Sequence, residues 1–101
     1  MNAKFNDIIN GNDLVLVDFY ADWCGPCKAL APELQKLADK MDESLRIIKI
    51  NVDKNPAAAQ AYQVRGVPTL LLFQNGQLLW RTSGYMTERQ LEDTIKAKTK
   101  S

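Results

Sequence analysis

The chain's two cysteines share one run, Trp23-Cys24-Gly25-Pro26-Cys27-Lys28, set between an apolar segment and an amphipathic one. Two intervening residues bring the sulfurs within bonding range if the run turns into the start of a helix. No other feature constrains the local fold as much. A bridge across so short a loop is a poor staple, because in the chain-entropy model it constrains the unfolded chain by about 2 kcal/mol, less than half the value for a hundred-residue loop. The spacing suits a dithiol that opens and closes during a reaction. The alternatives are a pair of inert buried thiols or half of a metal site. With no histidine and two cysteines, one chain cannot assemble an ordinary Cys/His zinc site. No metal is expected, a metal bridging two chains being the remaining form.

The flanks of the motif read as a strand and a helix. Leu14-Val15-Leu16-Val17-Asp18-Phe19-Tyr20 is a continuous apolar run broken by one acid, with the length and β-branching of a strand covered on both faces. After the cysteines, Leu30, Leu34, Leu37, Ala38 and Met41 recur at helical spacing, and Pro32 inside that stretch should kink it. Before the strand, Phe5, Ile8 and Ile9 mark a short helix over residues 3–10. Downstream, Leu45 to Val52 is a second strand carrying Lys49, and Asn55-Pro56 is an N-cap with proline at the first position of a helix to about Gln63. Thr69 to Phe73 is a third strand, and Asn75-Gly76 is a hairpin signal leading to a fourth, Gln77 to about Thr82. Thr87 with Gln90 forms a capping box for a last helix buried through Leu91 and Ile95. The order α-β-α-β-α-β-β-α describes an α/β domain, with a crossover helix before each of the first parallel pairings and an antiparallel hairpin at the end.

At 101 residues the whole chain, 1–101, is expected to be one domain with a core of its own. A formal charge of +1 argues against nucleic-acid binding or a polybasic membrane contact as the main activity. No run approaches the roughly eighteen apolar residues of a membrane span. Met1 to Asn12 shows no signal peptide, which favours the cytoplasm, although the mature form of an exported protein would begin in the same way.

A C-x-x-C where a strand meets a helix is a redox motif, and here the match extends further. Val17-Asp18-Phe19, Trp23 to Lys28, Pro32, Asp53, Arg65-Gly66-Val67-Pro68-Thr69, Phe73, Asn75-Gly76 and Gly84 fall in the order and spacing of the thioredoxin family. The chain resembles that family over residues 5–98. Two departures stand out: Tyr20 replaces a common tryptophan, and residues 1–4 are too few and too polar to supply the usual first strand. The resemblance implies a thioredoxin fold with a central four-stranded mixed sheet flanked by four helices, in the strand order Leu45–Val52, Leu14–Tyr20, Thr69–Phe73, Gln77–Thr82. The Leu45–Val52 strand is then left at an edge.

The resemblance also implies roles. Cys24, at the start of the helix, is the expected nucleophile, its thiolate favoured by unpaired N–H groups and the helix dipole. Cys27, a turn inward and expected to be more buried, is the resolving thiol. Asp18 is the expected general base for Cys27, with a pKa raised by burial. Lys49 resembles the partner of that acid, the alternative being an edge lysine whose ammonium stays in water. Val67-Pro68 looks like the family's cis-proline turn, presenting Val67 backbone groups to an extended peptide. Trp23, Gly25, Pro26, Gly66, Val67, Pro68 and Gly84 would form the substrate-binding surface around Cys24. The implied function is a protein disulfide reductase of monomeric form that holds no cofactor beyond its Cys24–Cys27 redox pair. Disulfide-containing proteins are its substrates, and an NADPH-linked thioredoxin reductase restores it. An exported oxidant or isomerase, or a cysteine-independent binding module, are the alternatives. Reduction potential separates the first, and the activity of a cysteine-free variant separates the second.

Overall fold

The computed structural model describes residues 3–11 and 14–99, with side chains from Asn6 onward. The apolar run Leu14–Tyr20 forms the strand β1 at the centre of the sheet. The helix α1, Ala3–Gly11, precedes it; the side chain of Phe5 lies outside the described residues, while Ile9 is buried. Residues 3 and 4 belong to this helix and not to a first strand, and Met1 and Asn2 lie outside the described residues. The helix α2 spans Gly25–Met41 and runs continuously through Pro32. A short 3-10 turn, Asp42–Ser44, absent from the sequence reading, leads into β2, Arg46–Asn51. Then follow α3 (Pro56–Ala61), β3 (Thr69–Gln74), β4 (Gln77–Ser83) and α4 (Glu88–Thr99).

The described residues form a four-stranded mixed sheet in the order β2-β1-β3-β4. β2 lies parallel to β1, with Asp18 opposite Lys49. β3 is antiparallel to β1 and β4 antiparallel to β3. The parallel pairing expected after α3 is therefore corrected. The connection over residues 52–68, with its six-residue helix, stays at the end of the sheet where β2 finished, and β3 starts there and runs back beside β1. As a result Thr69 pairs with Phe19, beside the cysteine motif.

Alternation along β1 sorts the side chains into two layers. Leu16, with Leu70 and Leu72 of β3, packs against Leu30, Leu34 and Leu37 of α2 and Leu91 and Ile95 of α4. Val15, Val17 and Phe19, with Leu71 and Phe73, pack against Ile9 of α1 and Ala58 of α3. Asp18 shares the parity of Leu16 and so faces α2.

Local chemistry sets the element ends. Thr87 N–H donates to Gln90 Oε1 at 3.0 Å and Gln90 N–H to Thr87 Oγ1 at 3.2 Å, the reciprocal capping box of α4. The β3–β4 turn places Asn75 and Gly76 at φ 51° and 84°, both in the left-handed region that a two-residue hairpin of this hand needs. Asn55 does not cap α3 as expected. Its side-chain amide donates to Asn51 O at 3.0 Å, because Asn51 organises the turn: its Oδ1 accepts from Asp53 N–H at 2.9 Å and Lys54 N–H at 3.3 Å. α3 ends at Ala61 with Tyr62 as its C-cap, followed by Gln63 at φ 54°. Gln63 N–H donates to Gln60 O and Val64 N–H to Ala59 O, the bond pair of a left-handed helix stop that glycine usually fills.

Candidate active site

Three chain segments meet at the C-terminal ends of the parallel strands β1 and β2, the end where open α/β sheets place their ligands. They are the turn from β1 into α2, the turn from β2 into α3, and the loop from α3 into β3. Val52 N–H donates to Tyr20 O at 2.9 Å, tying the first two together.

Cys24 is the N-cap of α2, with extended backbone at φ −89° and ψ 112°. Its Sγ accepts the Cys27 backbone N–H at 3.1 Å, and its carbonyl accepts from Lys28 N–H at 3.2 Å. Gly25 and Pro26 begin the helix, and the missing proline N–H costs nothing in a first turn whose donors lack helical partners. Cys24 and Cys27 are joined by a disulfide with Cα atoms 5.3 Å apart, packed with Ala21 and against Tyr20, Val52 and Val67. Both are buried in this oxidised state, Cys24 at 3% exposure and Cys27 at 6%. The expected difference in burial is absent, and what separates the two sulfurs is position. Cys24 Sγ caps the helix and accepts its N–H, whereas Cys27 lies inside the first turn.

Asp18 is 2% exposed, and its Oδ1 has no hydrogen-bond partner among the described residues. Burial pushes its carboxyl up to about 6, with the positive charge of Lys49 pulling it back in part. Lys49, its register partner on the edge strand, is exposed and acts on it through space.

Across from the disulfide, the Val67–Pro68 bond is cis. Thr69 Oγ1 donates to Gly66 O at 2.7 Å and Gly84 N–H donates to Pro68 O at 2.9 Å, so Gly66, Pro68 and Gly84 are held in one small framework. Trp23 is 70% exposed, the most exposed large apolar side chain described. It lines a shallow hollow of about 100 Å³ with Val52, Val64, Arg65, Gly66 and Val67. A Cβ added at Gly25, Gly66 or Gly84 would meet nothing within 4 Å. Packing does not require Gly25 or Gly66 to lack a side chain, whereas Gly84, at φ 100°, sits in a backbone conformation that favours glycine.

The sequence reading missed Val52, Val64 and Arg65, which complete the hollow, and did not assign Asp53 a role. Asp53 Oδ2 accepts the Trp23 indole N–H at 2.9 Å. An acid two residues after the end of a parallel strand, at the same end of the sheet as the motif, was the available signal for it. No group of three or more His, Cys, Asp or Glu side chains able to hold a metal occurs among the described residues.

The comparisons with known proteins agree with this geometry. The family model described as Thioredoxin matches residues 1–97. The chain belongs to the thioredoxin family. It is 44% identical over 96 residues to thioredoxin 1 of Chlorobaculum tepidum, covering 94% of this chain and 95% of that protein. It is 46% identical over 88 residues to the thioredoxin of Buchnera aphidicola, covering 87% of this chain and 81% of that protein. A solved mutant thioredoxin from Halobacterium salinarum superposes with a TM-score of 0.89 at 44% identity, covering 100% of this chain and 88% of the other. Like other thioredoxins, the chain is a thiol–disulfide oxidoreductase, with its redox-active pair bonded in the structure.

Proposed function

We propose that the protein, as a single domain over residues 1–101, reduces disulfides in other proteins, with Cys24 as nucleophile and Cys27 as resolving thiol. The observation that carries this reading is the place of Cys24 Sγ, which caps α2 and accepts a backbone N–H. A negative sulfur there is stabilised by the N–H donors and by the positive end of the helix dipole. The Cys24 thiolate attacks one sulfur of the substrate disulfide. A mixed disulfide forms, and the other substrate sulfur leaves as a thiolate that takes a proton from solvent. Cys27 then gives its proton to Asp18, relayed by water, and attacks Cys24 Sγ. The second substrate thiol is released and the Cys24–Cys27 disulfide closes. That second sulfur leaves as a thiolate that takes back, through the same water, the proton held by Asp18. The substrate thus gains two electrons from the pair and two protons, one from solvent and one from Cys27. A carboxyl poised near 6 suits a base that must take and return a proton close to neutrality. Lys49 tunes that base from the edge strand.

Trp23, Gly25, Pro26, Gly66, Val67, Pro68 and Gly84 form the docking surface. Gly25 and Gly66, where a side chain would meet open space, keep the rim low around a buried disulfide, so that an extended substrate can reach it, and Val67 offers it backbone groups. An NADPH-linked thioredoxin reductase restores the dithiol. The protein works as a monomer in the cytoplasm.

Trapping tests the division of labour. Cys27→Ser, mixed with a disulfide-bonded protein, should accumulate covalent adducts on non-reducing electrophoresis, because nothing resolves the mixed disulfide. Cys24→Ser should give neither adduct nor turnover. Adducts with Cys24→Ser and none with Cys27→Ser would reverse the roles.

A further inference from the structure

The sheet has two outer edges, and they are not alike. β4, at one edge, pairs with β3 through a register shift: Leu72 faces Trp80 and Phe73 faces Leu78, which leaves Leu79 as an extra residue. Such a bulge bends the strand and interrupts its ladder, a guard against the addition of a further strand. β2, at the other edge, is regular. All six of its residues, Arg46–Asn51, pair in unbroken register with β1. Alternate backbone N–H and C=O groups of an edge strand point away from its neighbour, and Arg46 to Ile50 make no backbone hydrogen bond outside that ladder among the described residues. The side chains beside this open row are apolar and cationic. Ile47, Ile48 and Ile50 are half-buried, Arg46 and Lys49 are exposed, and the strand holds no acid. Ile47 packs against the core on the α2 side of the sheet, and Ile48 and Ile50 against the core on the α1 side. Both faces therefore offer an apolar shelf along this edge.

We propose that the β2 edge docks an extended segment of a partner protein in which two acidic residues flank two apolar ones. Added as a further strand, the segment sets its acids opposite Arg46 and Lys49 and its apolar pair opposite Ile47 and Ile48. Main-chain hydrogen bonds hold it and the side-chain pairs select it, the usual division in strand addition. Charge chooses the occupant. A lysine at an edge discourages neutral and cationic strands, whereas unlike charges directly opposed across a strand pair attract. A second copy of this chain is disfavoured on the same ground, because antiparallel pairing of two β2 strands gathers Arg46 and Lys49 of both copies along one seam. β2 runs parallel to β1 toward the end of the sheet that carries the disulfide, so a docked segment tethers its protein at that end. The docking does not depend on the roles assigned to the two sulfurs.

The test titrates the oxidised protein with three end-blocked peptides and follows its backbone amides by NMR. The first is Thr-Glu-Val-Val-Glu-Thr, the second has lysine for both glutamates, and the third has proline for both valines. The glutamate peptide should shift the β2 amides and slow hydrogen exchange at those that point away from β1, with the β4 amides unmoved. The lysine peptide should bind at least about threefold more weakly, the effect of replacing attractive cross-strand pairs by repulsive ones. The proline peptide keeps the charges but lacks the N–H donors of the added strand, and it should leave exchange unchanged. In Arg46→Glu the ratio of affinities for the glutamate and lysine peptides should fall at least about threefold, a ratio that a general loss of binding does not move. No slowing of exchange at β2 with about 1 mM glutamate peptide overturns the proposal, as does binding at β4. Equal affinity for the glutamate and lysine peptides overturns the acidic partner, and equal binding of the proline peptide overturns strand addition. A protein that dimerises through β2 without any peptide, seen as concentration-dependent protection of the same amides, makes a second copy the occupant and overturns the proposal.

Discussion

Replacing Asp18 by alanine should make the oxidised protein more stable at neutral pH and a poorer reductase. The carboxyl ordinarily titrates near 3.8, and burial moves it to about 6 in the folded chain. The folded state therefore holds the proton more tightly than the unfolded state does. Below about pH 3.8 both states are protonated and Asp18 carries no penalty. As pH rises toward 6 the unfolded chain ionises first, and stability is lost across that window. Above about pH 6 the loss is complete. An interval from about 3.8 to about 6, at about 1.36 kcal/mol per pH unit, amounts to roughly 3 kcal/mol. Alanine removes the penalty and leaves a small cavity that costs about 1 kcal/mol. Asp18→Ala should thus be about 1 kcal/mol less stable than wild type at pH 3.5 and about 2 kcal/mol more stable at pH 7.5, with the curves crossing near pH 4.5. Urea unfolding of both proteins with the Cys24–Cys27 bond intact measures this directly, because the bonded sulfurs do not titrate. A stability difference that is flat with pH, or that moves toward wild type as pH rises, would refute the reasoning. The same variant should resolve mixed disulfides more slowly if Asp18 is the proposed base for Cys27, and an unchanged rate of resolution would remove it from that role.

Lys49→Met should move the Asp18 titration, followed by carboxyl-carbon NMR, to higher pH, because the positive charge that now favours the carboxylate is gone; a titration that stays put or moves down would remove Lys49 from the site. Gln63→Gly should stabilise the fold by up to about 1 kcal/mol in denaturant unfolding, since Gln63 stops α3 at φ 54°, a conformation that costs a side-chain-bearing residue roughly that much. A loss of stability would mean that the Gln63 side chain makes contacts worth more than the backbone preference.

Features set by short sequence spacing were legible in the chain, and features set by the folding-back of distant turns were not. The Cys24-x-x-Cys27 pair, the apolar strand before it and the helix after it are local, and their periodicities led to β1 and α2. The Thr87–Gln90 box and the Asn75-Gly76 turn are equally local, and both formed with the expected partners. The direction of β3 is different in kind. It depends on where the whole connection over residues 52–68 delivers the chain, and no periodicity within that stretch reports the direction of return. Independently, α3 stops at Ala61 instead of near Gln63 because Gln63 adopts a left-handed backbone that its side chain does not announce. Asn55 shows the same limit. Asparagine before proline signals a cap, yet the buried Asn51 carbonyl draws its side chain away, and a sequence window around residue 55 cannot weigh that competing acceptor. The Asp53–Trp23 bond joins two exposed residues across thirty positions, with no apolar periodicity to betray it. Asp18 was readable because a charge in a five-residue apolar neighbourhood is costly wherever the chain goes. Its raised pKa follows from burial, and burial is what hydrophobic patterning encodes.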